Sequence, residues 1–266
     1  VLCTGSDCSP TSAAPPCARR AAAPAGRTLA KDAVETGGRE DAYVIAAGKK
    51  KRVIVNIAPR HGKSEMISYL APAWFLGKYP HKKVIMASHT ADLAVNFGRR
   101  VRNLVGSDLY HDIFPQVELQ ADSKSASRWG TNFNGEYFAI GVGGALAGRG
   151  ADLFIIDDPH SEQEAKQLRP EVFDPAWEWF QSGPIQRLMP GGAIIVVMTR
   201  WSKLDLTGKI VDHMIHNDDA DEWEIVEFPA ILDDEPLWPE FWTLDELLAK
   251  KAGMDIRYWN AQYMKD

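Results

Sequence analysis

The chain has 266 residues, 45% hydrophobic and 25% charged, enough for one α/β domain of about 220 residues plus an extension, with no need of a metal or disulfide staple. A net charge of −6 excludes a surface uniformly attractive to nucleic acid, so any DNA contact must come from local basic runs. Two such runs exist, Lys49-Lys50-Lys51-Arg52 and Arg99-Arg100-Val101-Arg102, and each by itself reads as a solvated face.

Residues 1–42 are rich in Ala, Pro, Ser, Gly and Arg, with Pro10, Pro15, Pro16 and Pro24 interrupting any helix, and they are expected to be disordered or a foreign leader. All three cysteines, Cys3, Cys8 and Cys17, fall there, which argues against a disulfide-built secreted domain and a zinc site. No signal-peptide layout and no apolar run of roughly 18 residues is present, so a cytosolic body without a membrane span is expected. Ordered sequence is expected from Tyr43 onward, as one domain over 43–266 that includes a C-terminal linker segment.

Val53 to Ala58 is an apolar, β-branched run that passes through Pro59-Arg60-His61 into Gly62-Lys63-Ser64. Met66, Ile67, Leu70 and Trp74 then recur at helical spacing, with Pro72 as a kink and Gly77 as a stop. Strand, turn, Gly-Lys-Ser and helix is the order of a phosphate-binding loop. The helix N-terminus offers unpaired N–H groups and the positive end of its dipole, Gly62 permits close approach, Lys63 reaches the β- and γ-phosphates, and Ser64 offers a hydroxyl to Mg²⁺. Ile57 stands where the pattern G-x-x-x-x-G-K-[ST] has its first glycine, and Pro59 lacks one N–H donor. Gly-Lys recurs at Gly48-Lys49, Gly77-Lys78 and Gly208-Lys209, but none of these follows a buried-strand pattern and precedes Ser or Thr.

Val84 to Ser88 reads as a short buried strand, and Thr90 as the cap of a helix whose apolar stripe is Leu93, Phe97, Val101 and Leu104. The β-α-β-α order predicts a parallel sheet. Residues 122–150 turn polar and Gly-rich around a short strand, Tyr137 to Ile140, so this stretch is mobile or closely approaches a ligand or a neighbour. Leu153 to Ile156 ends in Asp157-Asp158-Pro159. A helix with Trp177, Trp179 and Phe180 follows, then a Pro190-Gly191-Gly192 turn and the apolar strand Ala193 to Met198, which ends in Thr199-Arg200-Trp201. A last strand, Glu224 to Phe228, precedes Pro-punctuated sequence and a helix from Leu244 to Lys251.

An apolar strand ending in Asp is where a P-loop enzyme holds Mg²⁺, which fits Asp157; an acid directly after it can deprotonate the attacking water, which fits Asp158. The usual residue there is Glu, one methylene longer, so Glu162 and Glu164 stay open as the base. Val84 to Ser88 intervenes in the chain between the loop strand and the acid strand. Such an insertion marks the branch of P-loop proteins in which an additional strand separates the two motif strands and a catalytic acid primes water. Thr199 ends a strand where the γ-phosphate can be sensed, and Arg149, in a Gly-flanked loop, can project toward the nucleotide of a neighbouring subunit as an arginine finger. The seven histidines show no metal-site spacing, and no nucleophile elbow points to covalent catalysis.

Together these residues resemble the ATPase domain of a tailed-bacteriophage terminase large subunit. The resemblance rests on Ala58 to Glu65; on Gly141-Val142-Gly143-Gly144 with Gly148 to Asp152; on Ile155 to Pro159; and on Met198 to Trp201 followed by Asp205-Leu206. Phe228-Pro229-Ala230, Leu237-Trp238-Pro239-Glu240 and Gln262-Tyr263 are also similar, so the match covers roughly residues 50 to 266. It implies an α/β P-loop NTPase fold, mainly parallel and flanked by helices, in the additional-strand, catalytic-acid branch. It also implies ATP and Mg²⁺ as cofactors, bound by Arg60, His61, Gly62, Lys63 and Ser64, with the metal on Ser64 and Asp157. Asp158 would activate water, Thr199 would couple hydrolysis to movement, and Arg149 would act in trans. Arg60 would contact phosphate or signal from the loop. The implied partners are double-stranded DNA, a portal protein and a small terminase subunit, in a homopentameric ring at the procapsid portal in the host cytoplasm. The family's adenine-binding lead-in has no counterpart in the first 40 residues, and its nuclease domain is expected to be absent, so ATPase chemistry without DNA cleavage is expected. A helicase-like ATPase and an inactive prophage remnant are the alternative readings.

Overall fold

The structure is a computed structural model that describes residues 50–122, 125–167 and 169–264; the expected leader, the cysteines and Tyr43 lie outside the described residues. Strand β1 (Arg52–Ile57) leads through the loop into a π-helical stretch (Glu65–Leu70) that runs on as α1 (Ala71–Lys78). Next come β2 (Lys83–Ser88), α2 (Ala91–Val105), α3 (Asp108–Ile113), β3 (Arg128–Gly130), β4 (Glu136–Gly141) and β5 (Ala151–Asp157). The chain continues with α4 (Glu162–Ala165), α5 (Pro170–Ser182), β6 (Leu188–Met198), α6 (Leu206–His216) and β7 (Glu224–Phe228). A small hairpin, β8 (Ile231–Leu232) and β9 (Glu235–Pro236), precedes α7 (Leu244–Ala252), α8 (Ile256–Trp259) and a last π-helical turn (Asn260–Met264).

Seven strands form one sheet in the order β3-β4-β2-β5-β6-β1-β7, parallel throughout except for β3 against β4. Continuous apolar runs such as Phe154-Ile155-Ile156 and Ile194 to Val197 suit a sheet buried on both faces. Alternate residues of β1 divide between two cores: Val53, Val55 and Ile57 join the one that includes Ala73, Phe75 and Leu76 of α1, and Ile54 joins the one that includes Trp179 and Phe180 of α5. All parallel strands end on one edge, so the loop after β1 and the acids after β5 open on the same side.

The expected parallel α/β sheet and the additional-strand arrangement are present, with differences in detail. The strand that separates β1 from the acid strand β5 is β6; β2 lies on the far side of β5. The buried face of α2 is Ala94, Gly98, Val101 and Val105, rotated from the expected stripe, and Leu93 is exposed. Gly98 explains the rotation: its carbonyl accepts from Trp129 Nε1 at 3.1 Å, and a Cβ there would lie 2.3 Å from the Ala126 carbonyl oxygen. Gly77 lies in the last turn of α1, which ends one residue later at Lys78, and Phe114 packs so closely there that a Cβ would meet the ring at 2.4 Å. Pro72 lies inside the helix that runs on from the π-helical stretch, where its missing N–H removes one intrahelical hydrogen bond; the helix continues through it, and the irregularity expected of a kink is the π-helical turn directly before it. Pro190-Gly191-Gly192 is absorbed into β6 as an irregularity, with Gly191 at φ 81° and the β5–β6 register shifting between Ala151 and Leu153. The Gly-rich stretch serves close approach, since Gly141 lets β4 pass the first turn of α2 with only 2.8 Å between a notional Cβ and the Ala91 nitrogen.

Candidate active site

The phosphate loop is shaped by two left-handed residues, Arg60 at φ 62° and Gly62 at φ 81°. Two left-handed residues within three positions make a tight turn, the kind of backbone that gathers successive N–H groups into an anion nest. Ser64 is already right-handed helical, and Met66 N–H donates to the Gly62 carbonyl at 3.1 Å, so the helix begins at Gly62. His61 is buried within the loop, its Nδ1 2.9 Å from the Pro59 carbonyl and its ring stacked 6.2 Å from Trp242. Trp242 Nε1 donates to the Arg60 carbonyl at 3.4 Å, so the segment before α7 braces the loop from outside.

Two strands away, Asp157 ends β5 and is 2% exposed. Ser68 Oγ donates to its Oδ2 at 2.8 Å, while its Oδ1 is buried without a hydrogen-bond partner. Burial and the neighbouring Asp158 push the Asp157 carboxyl up to about 6, against Lys63 and the Ser68 and Ser64 hydroxyls, which pull it down. A buried carboxylate oxygen with no donor, beside the Ser64 hydroxyl, is a donor set suited to a hard, oxygen-seeking cation such as Mg²⁺. Among the described residues no cluster of three or more His, Cys, Asp or Glu forms a self-sufficient metal cage. An ion here would therefore share its coordination with water and substrate phosphates.

Asp158 is held in a left-handed conformation at φ 43°, by its own N–H donating to Val197 at 3.0 Å and by His89 N–H donating to its carbonyl at 3.2 Å. Such a backbone costs on the order of 1–3 kcal/mol in a non-glycine residue and directs its side chain toward the loop. Lys63 Nζ lies 2.6 Å from Asp158 Oδ2, and Thr199 N–H donates to Oδ1 at 3.0 Å. Thr199 Oγ1 donates to the Ile57 carbonyl at 3.4 Å, which ties the end of β6 to the start of the loop. Above these groups is a cavity of about 510 Å³ lined by Arg60, Lys63, Asp158, His160, Glu162 and Thr199, with Met254, Gln262 and Tyr263 closing it from the C-terminal segment.

Gly62, Lys63, Ser64, Asp157, Asp158 and Thr199 thus converge, with Arg60 and His61 in the loop. Arg149 does not join them. It precedes β5, at the opposite edge of the sheet, where it pairs with Glu136 at 3.0 Å and lies 3.7 Å over the Phe138 ring. Glu162 lines the cavity but pairs with Lys166 at 2.6 Å, and Glu164 accepts from Ser161 Oγ at 2.7 Å. The basic runs are engaged too: Lys50 with Glu224, Arg52 with Asp221, and Arg100 with Glu65.

Sequence reasoning overlooked Ser68 and His160, and it named Asp205 within the resemblance without giving it a role. Ser68 follows Ser64 by one turn, a polar residue inside an apolar stripe, which is a readable signal. His160 accepts from Leu206 N–H at 2.9 Å, and Asp205 caps α6 by accepting from Gly208 N–H at 2.9 Å; Asp205-x-x-Gly208 was legible as a helix start.

A mainly parallel sheet with a nest-forming Gly-Lys-Ser loop and, one strand removed, an acid pair is a P-loop NTPase fold. The family pattern described as "Terminase large subunit, T4likevirus-type, N-terminal" matches residues 54–236, and the chain belongs to that family. The fold is similar to a mutant of the large terminase ATPase domain of Thermus phage P74-26, with a TM-score of 0.54 and 16% identity, over 85% of this chain and 92% of that one. It is also similar to the HK97 bacteriophage large terminase, with a TM-score of 0.51 and 15% identity, over 82% of this chain and 48% of that one. The chain thus spans about half the length of the HK97 protein. No curated protein matches the chain. Among the described residues no helix is long and apolar enough to cross a membrane.

Proposed function

We propose that this chain is an ATP-hydrolysing motor domain that drives double-stranded viral DNA into a procapsid. The observation that carries the reading is a lysine at a helix mouth facing two consecutive acids, one of which keeps a buried oxygen without a donor. Lys63, with the N–H groups of the loop, binds the β- and γ-phosphates. Mg²⁺ on Asp157 and Ser64 would neutralise charge on those phosphates.

Asp158 is the general base. Lys63 neutralises its Oδ2 while the site is open, and a γ-phosphate, carrying more charge, draws Lys63 away. Oδ2 is then free to accept a proton from the attacking water, while Oδ1 stays anchored by the Thr199 N–H. Glu162 and Glu164 are weaker candidates because their partners, Lys166 and Ser161, lie outside the loop, whereas Asp158 pairs with the loop lysine itself. Arg149 stands a full strand length, roughly 20 Å, from its own loop, which leaves the site of a neighbour in a homopentameric ring as the one it would serve, on release from Glu136. The partners are double-stranded DNA, a portal protein and a small terminase subunit, at the portal in the host cytoplasm.

The test is Mg²⁺-dependent phosphate release from ATP by the wild type, Lys63→Ala and Asp157→Ala. Both variants are expected to lose turnover; variants as active as the wild type refute the assignment.

A further inference from the structure

Past the end of β7 the chain carries three aromatic residues in five positions, Trp238, Phe241 and Trp242; Trp238 and Trp242 lie against the phosphate loop, and Phe241 packs between them. Trp242 is the anchor, stacked on His61 and bonded to the Arg60 carbonyl. Phe241 meets Trp242 edge-on at 5.4 Å, and Trp238 stacks on Phe241 at 4.7 Å with the rings 22° from parallel. Trp238 also reaches the loop itself: a Cβ at Gly62 would be 3.8 Å from its ring. Yet Trp238 is 40% and Phe241 54% exposed. A single exposed aromatic residue needs no explanation, but two stacked rings held at fixed distance from an anion nest form a preorganised π surface.

The sheet order says which part of a nucleotide would meet that surface. The acids end β5, two strand spacings or roughly 10 Å to one side of β1, with β6 between them. A triphosphate with its γ end at Asp157 and Asp158 and its β-phosphate in the loop directs its nucleoside away from the acids. That is the side of β7, the strand that leads into the ring cluster.

Resting on the ATPase reading, we infer that Trp238 and Phe241 are the nucleobase platform of this site. The ligand class is a purine nucleoside triphosphate, held by its phosphates in the loop and by stacking of its base on these rings. Stacking reads the face of a base and not its edge, so the platform contributes affinity more than discrimination between purines.

The test is calorimetric titration of the full chain with Mg²⁺–ATP and, separately, with Mg²⁺–tripolyphosphate, which has no base. The variants are Trp238→Leu and Phe241→Leu, both at partly exposed positions. Each is expected to weaken ATP binding by about 5- to 150-fold while leaving tripolyphosphate binding within twofold of the wild type. Wild-type ATP affinity in both variants overturns the inference, as does a wild type that binds the two ligands equally. Equal loss of both ligands in a variant means that the rings only brace the loop, which also overturns it. A wild type that binds neither ligand overturns the ATPase reading and the platform together, and is distinguishable from the preceding results.

Discussion

His160 makes a pH prediction whose sign and size follow from its surroundings. It is 5% exposed, its Nε2 accepts the Leu206 N–H, and its ring meets Phe173 edge-on at 4.9 Å. Burial pulls its pKa down to about 4, outweighing Asp205, Glu164 and Asp158, which pull it up; Lys209 adds to the lowering. Between about pH 4 and 6.5 the unfolded chain binds a proton at this position that the native chain does not. Stability from this group is therefore fully present above pH 6.5 and is lost as pH falls toward 4. The span of 2.5 units corresponds to roughly 3 kcal/mol. Asp157 works in the opposite direction, because its carboxyl is raised to about 6 and its proton is retained on folding as pH falls. The wild-type curve contains both and is flattened by their opposition, so the informative quantity is the difference between the wild type and His160→Gln. Glutamine can still accept the Leu206 N–H and does not titrate. Urea unfolding at several pH values from 4 to 7, without nucleotide, should show the wild type losing roughly 3 kcal/mol relative to the variant over that range. Parallel curves would refute the assignment of a buried neutral imidazole.

Other positions give independent checks. Gly77→Ala pushes a methyl group into the Phe114 ring and should cost about 1–3 kcal/mol, partly restored by Phe114→Leu in the same chain; unchanged thermal unfolding would contradict the close packing of α1. Asp205→Ala removes the acceptor of the Gly208, Trp201 and Ser202 N–H groups and leaves Arg200 without its buried partner, for an expected loss of roughly 3–5 kcal/mol in denaturant titration. Arg149→Ala should leave ATP affinity of the isolated chain unchanged while lowering turnover of the assembled ring by about 1000-fold or more; equal turnover in the ring would remove Arg149 from the mechanism.

The parts legible in the sequence were those with a local cause. Gly62-Lys63-Ser64 after a β-branched run, and Asp157-Asp158 after another, are written in consecutive residues, and Thr90 announces its helix by its own side chain, which accepts from Leu93 N–H at 3.3 Å. What escaped depends on contacts distant in the chain. The face of α2 is set by Trp129 reaching Gly98 across 31 positions, and a stripe of large apolar residues cannot reveal that a glycine faces the core. The strand between β1 and β5 is β6, because sheet order is decided by crossovers that no local pattern encodes. Pro190-Gly191-Gly192 has the composition of a turn, yet its flanks are long enough for β6 to carry it as a bulge.

The acid loop and the strand-end Thr199 loop converge on the first turn of α6, and this separates two kinds of damage. His160 reaches α6 through Leu206 N–H, and Arg200 reaches it through Asp205 Oδ2 at 3.0 Å. Thr207 Oγ1, in the same turn, donates to Asn56 Oδ1 at 3.4 Å, and Asn56 donates to Glu227 on β7 at 3.1 Å. The ends of β1, β5, β6 and β7 are therefore registered against one helix start by polar contacts, whose directionality fixes positions that apolar packing would leave free to slide. Gly77, by contrast, lies at the far end of the helix that starts at the loop, in the opposite layer and 15 positions beyond Gly62. If the distance from Lys63 to Asp158 is set at the α6 turn, Asp205→Ala must depress ATP turnover well beyond Gly77→Ala when temperatures are chosen so that both are equally folded. Equal turnover at matched folded fraction would mean that the α6 contacts serve stability alone, and that the loop and the acids keep their spacing through the sheet without them.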